Sequence, residues 1–350
     1  MRILSPAKRR IARRRYPIGL CLTLFTAAAL LAASSTVVLG RPADARATDN
    51  VVICQSIAGA DEHTTEVPGP VADALLLSTR SYPGPCAQYG ESKSLGNGTL
   101  TSYSQTDAAG TPLVIGVVAT DSAYDGLPHE PPTDGQFCFD KNGDGTIAHH
   151  GECAGGYEHV MALNPAFSGR DDIPFTYAMV NWNPHGHVPA GVWDSPHFDM
   201  HFYLDENAER LAIRTGPCLQ LTDCADYSLG KVLPAQKYRH PDFVDLDAVE
   251  PAMGNHLIDS TTPELNGGPF THTFIYGSWN GEITFYEPMV NLDQYTGLRG
   301  GTLEDFCTDL KQPQAWQKAG YYPTRYCLRH RDNRAETLTT LENFVYRTAS

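Results

Sequence analysis

Polar and apolar side chains alternate through His-Phe-Asp-Met-His-Phe-Tyr at 197–203. An extended strand points successive side chains to opposite faces, so His197, Asp199 and His201 share one face and Phe198, Met200 and Phe202 the other. Apolar or alternating runs at 113–119, 176–182, 197–204, 270–276 and 282–286, mostly bounded by Gly, Pro, Asn or Asp, predict further strands. Asn280-Gly281 between the last two predicts a tight hairpin turn. Helical patterning is confined to 71–77 and 303–310, and 31 Gly and 25 Pro leave little room for long helices. The expected fold is mostly β, a β-barrel-like or β-sandwich domain with few short helices.

The two ends follow other patterns. Residues 2–15 carry seven basic side chains and no acid, and 18–40 is apolar or small throughout. That layout is a signal peptide, with Ala45-Arg46-Ala47 placing cleavage after Ala47; an uncleaved membrane anchor is the alternative. Arg13-Arg14-Arg15 suits twin-arginine export, although Pro17 departs from that signal. The sequence therefore divides into a signal at 1–47, a β domain at 48–300 with a cysteine-bracketed insert at 134–156, and an extension at 301–350 packed on the body.

Cysteine usage agrees with a secreted or extracytoplasmic location. Cys21 lies in the signal, leaving Cys54, Cys86, Cys138, Cys153, Cys218, Cys224, Cys307 and Cys327, with no CxxC pair among them. An even set in an oxidising compartment reads as disulfides, and sequential pairing closes four local loops. Up to Ala47 there are 9 basic residues and 1 acid, so of 26 basic and 40 acidic residues the remainder holds 17 and 39, a net charge of −22. Such a surface repels phosphate backbones and anionic lipid, which excludes nucleic acid and membrane surfaces as partners and favours cations.

Four of the 13 histidines, His185, His187, His197 and His201, fall within seventeen residues that also include Asp199. Imidazole nitrogens with a nearby carboxylate suit zinc or a similar divalent transition metal. The competing reading is a buried network in which these groups satisfy one another. His256 and Glu287 are further candidates to complete the site, with Asp199 and Glu287 as candidate bases. Within the insert, Asp140, Asn142, Asp144 and Thr146 follow the opening of a calcium loop, with Gly145 at the turn position; the closing acid, Glu152, comes one residue late. Asn-Gly and Asp-Gly are also ordinary turn sequences.

The chain resembles a family of unknown function typified by a Thermus protein under extracytoplasmic sigma-factor control. The resemblance rests on 181–187, Asn-Trp-Asn-Pro-His-Gly-His, with Pro189, and on 196–203, Pro-His-Phe-Asp-Met-His-Phe-Tyr. Weaker landmarks are 96–99 with Tyr103, 110–117, 126–128, 253–256 and 276–289. It implies a β-barrel-like fold, two similar subdomains and a homo-oligomer built from dimers, and supplies no reaction. Trp193 stands where the family has Tyr, and 134–156 is additional. Three functions are consistent with these features: metal binding without turnover, metal-dependent catalysis as a hydrolase, hydratase or cupin-like oxygenase, and a structural module without metal. The first is preferred.

Overall fold

Nearly every alternating segment becomes a strand, and every strand pair is antiparallel. The computed structural model describes residues 49–133 and 135–350; the expected signal at 1–47 lies outside them. Strands β1 (Asn50–Gln55), β2 (His63–Pro68) and β3 (Tyr82–Pro83) form a small sheet, and β4 (Gln88–Leu95), β5 (Gly98–Thr106) and β6 (Pro112–Thr120) begin a larger one. A seven-stranded sheet follows, from β7 (Tyr157–Ala162), β8 (Tyr177–Asn183), β9 (His197–Tyr203), β10 (Phe243–Glu250), β11 (Gly254–Asp259), β12 (His272–Trp279) and β13 (Glu282–Asn291). Its spatial order is β10-β11-β12-β13-β9-β8-β7, which puts β9 between β13 and β8. Then come β14 (Phe306–Asp309), β15 (Gly320–Tyr322), β16 (Arg325–Arg331), β17 (Glu336–Glu342) and β18 (Val345–Arg347).

The C-terminal stretch is integral to the fold, where the sequence suggested an extension packed on the body. β14, β16 and β17 complete a six-stranded sheet of order β14-β16-β17-β6-β5-β4, with β17 paired along β6. Residues 303–310 form an extended segment and β14 rather than a helix. Cys307 is disulfide-bonded to Cys327 directly opposite it on β16, and this cross-strand pairing overrides a weak helical periodicity. The helix expected at 71–77 does form, as Gly69–Ser78. At the predicted hairpin, Asn280 (φ 45°) and Gly281 (φ 84°) both adopt the left-handed conformation that a two-residue turn demands.

One core lies between the two large sheets. Phe198, Met200 and Phe202 of β9 meet Ile115 and Val117 of β6 and Leu341 of β17 there. Every residue of β9 is buried, so its polar face is covered too. A second cluster lies on that far face, with Tyr177, Met179, Trp193, Met253, Ile258, Ile275 and Phe285. All four bridges pair as the sequence order suggested: Cys54–Cys86, Cys138–Cys153, Cys218–Cys224 and Cys307–Cys327.

Just beyond β9, Asp205 has a buried Oδ1 with no hydrogen-bond partner. Burial, reinforced by the charge of Glu209, pushes its carboxyl up to about 7. The folded protein therefore holds a proton that the unfolded chain releases near pH 4, and stability falls as pH rises from there through about 7. Asp205→Asn removes this loss: we expect a gain of about 2 kcal/mol at pH 8, after allowing for partial solvation, and little change at pH 4. Equal effects in urea titrations at the two pH values would contradict this account.

Candidate metal centre

The far face of β9 carries His197, Asp199 and His201 inward from one end of the strand. Asn183 and Asn181 of β8 lie opposite His197 and Asp199, while Asn291 and Met289 of β13 flank the same two residues on the other side. From β13, Glu287 projects onto this face beside His201, and from β11 comes His256, two strands farther along. Between them, on β12, stands Gly277. A β-carbon there would fall 2.0 Å from the ring of Phe285, so a glycine is needed for that ring to make its edge-to-face contacts with His201 and His256.

Two clusters result. In the first, Asp199 Oδ1 lies 3.2 Å from His197 Nε2, and Oδ2 lies 3.5 Å from His187 Nε2. In the second, Glu287 Oε2 lies 3.6 Å from His201 Nε2 and 3.8 Å from His256 Nε2. Each cluster thus gathers two imidazoles and one carboxylate, with the donor atoms within 4.8 Å of one another. Most of these separations are long for N–H···O hydrogen bonds, which favour 2.7–3.2 Å. They match the distance of about 3.3 Å between ligands that each bind a tetrahedral ion at 2.0–2.1 Å.

The other ring nitrogens explain why the rings face this way. His197 Nδ1 is 2.7 Å from the Ser195 carbonyl, His187 Nδ1 2.8 Å from that of Val188, and His256 Nδ1 3.0 Å from that of Ala248. A carbonyl only accepts, so each Nδ1 carries a proton, and in a neutral ring the Nε2 lone pair is aimed at a carboxylate. Backbone anchoring of one nitrogen while the other ligates is the usual support of a metal-binding histidine. His201 is more exposed to this demand, with neither ring nitrogen hydrogen-bonded, and Asp199 Oδ1, His197 Nε2 and Glu287 Oε2 are likewise buried without partners. Leaving one such group unsatisfied costs about 1–3 kcal/mol, and here they converge on two points.

The electrostatics follow from the crowding. Burial would raise the Asp199 carboxyl, but the charge of His197 and the contacts with His187 and His197 hold it well below the usual carboxylate range. Asn183 Nδ2 adds a 2.7 Å hydrogen bond to its Oδ2. Burial depresses His187, yet the contact with Asp199 and its charge lift it to about 9. In the second cluster burial drives His201 down to about 3, while burial and the charges of Asp199 and Glu250 push Glu287 well above the usual range. The Asp199 charge thus favours the protonated form of His187, and burial favours the protonated form of Glu287. A divalent ion would displace both protons.

A cavity of about 180 Å³ opens onto both clusters, touching His187, Asp199, His256 and Glu287. His187 keeps 21% of its side chain accessible on this side, whereas His197 and His201 have none. Each cluster therefore offers three protein ligands with space alongside.

His185, one of the sequence candidates, is not part of either cluster. The chain turns at 184–186, with Gly186 at φ 68° and its N–H donating to the Asn183 carbonyl, so His185 and His187 do not share a strand face. His185 points instead toward Glu130, at 3.8 Å, with 41% of its side chain exposed. The loop expected to hold calcium is organised by its own backbone. Glu152 accepts from the amides of Lys141, Asn142 and Ala148, Asp140 from those of Gly143 and Gly145, Asn142 from Asp144, and Asp144 from Thr146. These bonds shape the loop, each carboxylate oxygen keeps a further lone pair, and Thr146 contributes its backbone N–H. Asn181 and Asn183 were not among the sequence candidates, although the alternation of β8 places them on the face of the histidines. Two further groupings near a carboxylate, Cys54 with Cys86 and Cys307 with Cys327, have their sulfurs committed to disulfides.

Comparison of the chain with protein-family models, with curated proteins and with solved structures finds no match.

Proposed function

We propose that this is an extracytoplasmic protein that binds a divalent transition metal such as zinc at His187, His197 and Asp199, with His201, His256 and Glu287 as a second ligand set. One observation carries the reading: three imidazoles are pinned through Nδ1 to backbone carbonyls, so that the Nε2 atoms of His187 and His197 face the buried Asp199 carboxylate and that of His256 faces Glu287. The four disulfides and the acidic surface support a place outside the cytoplasm. The motifs at 181–187 and 196–203 support kinship with the family of unknown function and its dimer-built oligomers.

Three ligands beside a cavity favour a working centre over a purely structural one, because structural zinc sites are closed by four protein ligands. An ion with a free position polarises a carbonyl or lowers the pKa of a bound water toward neutrality, the chemistry of metal-dependent hydrolysis or hydration. Asp199 and Glu287 then serve as ligands, which leaves neither of them free for the role of base suggested by the sequence.

Elemental analysis of protein purified without a histidine tag and dialysed against metal-free buffer tests the proposal. At least one equivalent of metal per chain is expected in the wild type, and a loss of most of it in His197→Ala/His201→Ala. Equal content in the two proteins would remove the site.

A further inference from the structure

The cavity beside the clusters has a distinctive chemistry of its own. Apart from the ligands its walls are largely apolar, with Val188, Trp193, Leu246, Met253 and Ile258 among them, and among the described residues no lysine or arginine lines it. Glu250, at the end of β10, also faces this space. Its carboxylate makes no hydrogen bond or ion pair among the described residues. Half-buried beside apolar walls, this carboxylate gives up part of its hydration, which a cation or a donor would offset.

An outer chamber of about 400 Å³ adjoins the inner one. Gly155, His187, Val188, Gln220 and Glu250 line both and so form the neck between them. The outer walls come from two disulfide-closed segments: Lys141 and Cys153 of the insert, and 219–221 between Cys218 and Cys224. Gln220 (φ 55°) and Leu221 (φ 59°) are consecutive non-glycine residues in the left-handed region. Such backbone costs on the order of 1 kcal/mol per residue and is found where the surroundings fix a segment in place. The Cys218–Cys224 bridge holds Gln220 at the neck.

We propose that the neck admits a small organic amine, whose ammonium group pairs with Glu250 while a donor atom at its other end reaches the ion held by His187, His197 and Asp199. This rests on the metal reading above. Size sets one bound, since an apolar cavity of about 150 Å³ holds one benzene molecule, so the inner chamber suits a ligand with a short hydrocarbon body. Charge sets another: at the neck an anionic tail would meet Glu250, and within the inner chamber no lysine or arginine among the described residues would offset it, Lys141 lying on the outer wall, whereas an ammonium finds a carboxylate without a hydrogen bond or ion pair. The net charge of −22 on the exported chain draws cations toward the entrance.

The test uses the full exported chain loaded with zinc and two probes of one skeleton, 5-aminopentanoic hydroxamate and pentanoic hydroxamate, which differ by an amine at the end remote from the zinc-binding group. Calorimetry should show 5-aminopentanoic hydroxamate binding at least about tenfold tighter, a difference of about 1.4 kcal/mol. In Glu250→Gln the two probes should bind equally, with zinc content and affinity for the amine-free probe unchanged. Equal or weaker binding of the amine by the wild type, or a preference that survives in Glu250→Gln, overturns the proposal. Should the wild type retain no zinc by elemental analysis, the metal reading fails first and takes this inference with it.

Discussion

Asp199→Asn should weaken zinc binding at the first cluster by at least about 100-fold, more than loss of a supporting hydrogen bond usually costs a metal site. Asparagine keeps the volume and can still meet Asn183, so the packing of β9 is preserved. What disappears is the negative charge between His187 and His197. A neutral amide is a poor ligand for zinc, and its N–H₂ end would compete for the lone pairs that face it. In a competition titration against a chromogenic chelator, the tight phase assigned to this cluster should vanish. The increase in melting temperature on adding zinc should shrink with it, because a ligand at 1,000 times its dissociation constant contributes about 4 kcal/mol. An unchanged chelator titration would mean that Asp199 is not a ligand, and that its short contacts are those of a buried ion pair.

The second large effect concerns stability. Arg210 is 1% exposed, and its guanidinium makes a bidentate pair with Glu158 at 2.8 and 2.9 Å while also donating to Asn207 and to the Ala252 carbonyl. Truncating one partner of such a pair leaves the other without compensation, and Arg210→Met should destabilise the fold by about 3–5 kcal/mol in urea titrations. Glu158 is 20% exposed, which places the effect toward the lower end of that range. Arg210→Met/Glu158→Gln should recover part of the loss, since the orphaned charge is gone. A cost below about 1 kcal/mol for the single variant would show that solvent replaces the pair readily.

How far the sequence foretold this site depended on how local each signal was. The faces of β9 were legible because alternation is a property of a few consecutive residues, and the hairpin at Asn280-Gly281 was legible for the same reason. His256 and Glu287 could be named as candidates, but only the seven-stranded order, with β12 between their strands, shows that they share one carboxylate oxygen with His201. His185 falls outside both clusters because it would share a face with His187 only in an extended segment, and Pro184 and Gly186 bend the chain there. Glu250 carried no local mark at all: its significance comes from what fails to surround it. The C-terminal strands were missed for a comparable reason. Residues 303–310 look weakly helical alone, and only pairing with β16 makes part of them extended.

The seam between β6 and β17 bears on how the chain must be made. Across it, the hydrogen bond between Tyr124 and Thr337 joins residues 213 positions apart. Contacts that distant delay folding, since the ends of a long segment must meet before either is rewarded. A nascent chain therefore presents one side of β6 without its eventual neighbour until residues 336–342 have emerged. Premature stop codons or proteolytic trimming before 336 would leave an open sheet edge prone to pairing with other chains. Because β6 finds its partner only in β17, closure of this sheet is one of the last events that synthesis of the chain permits.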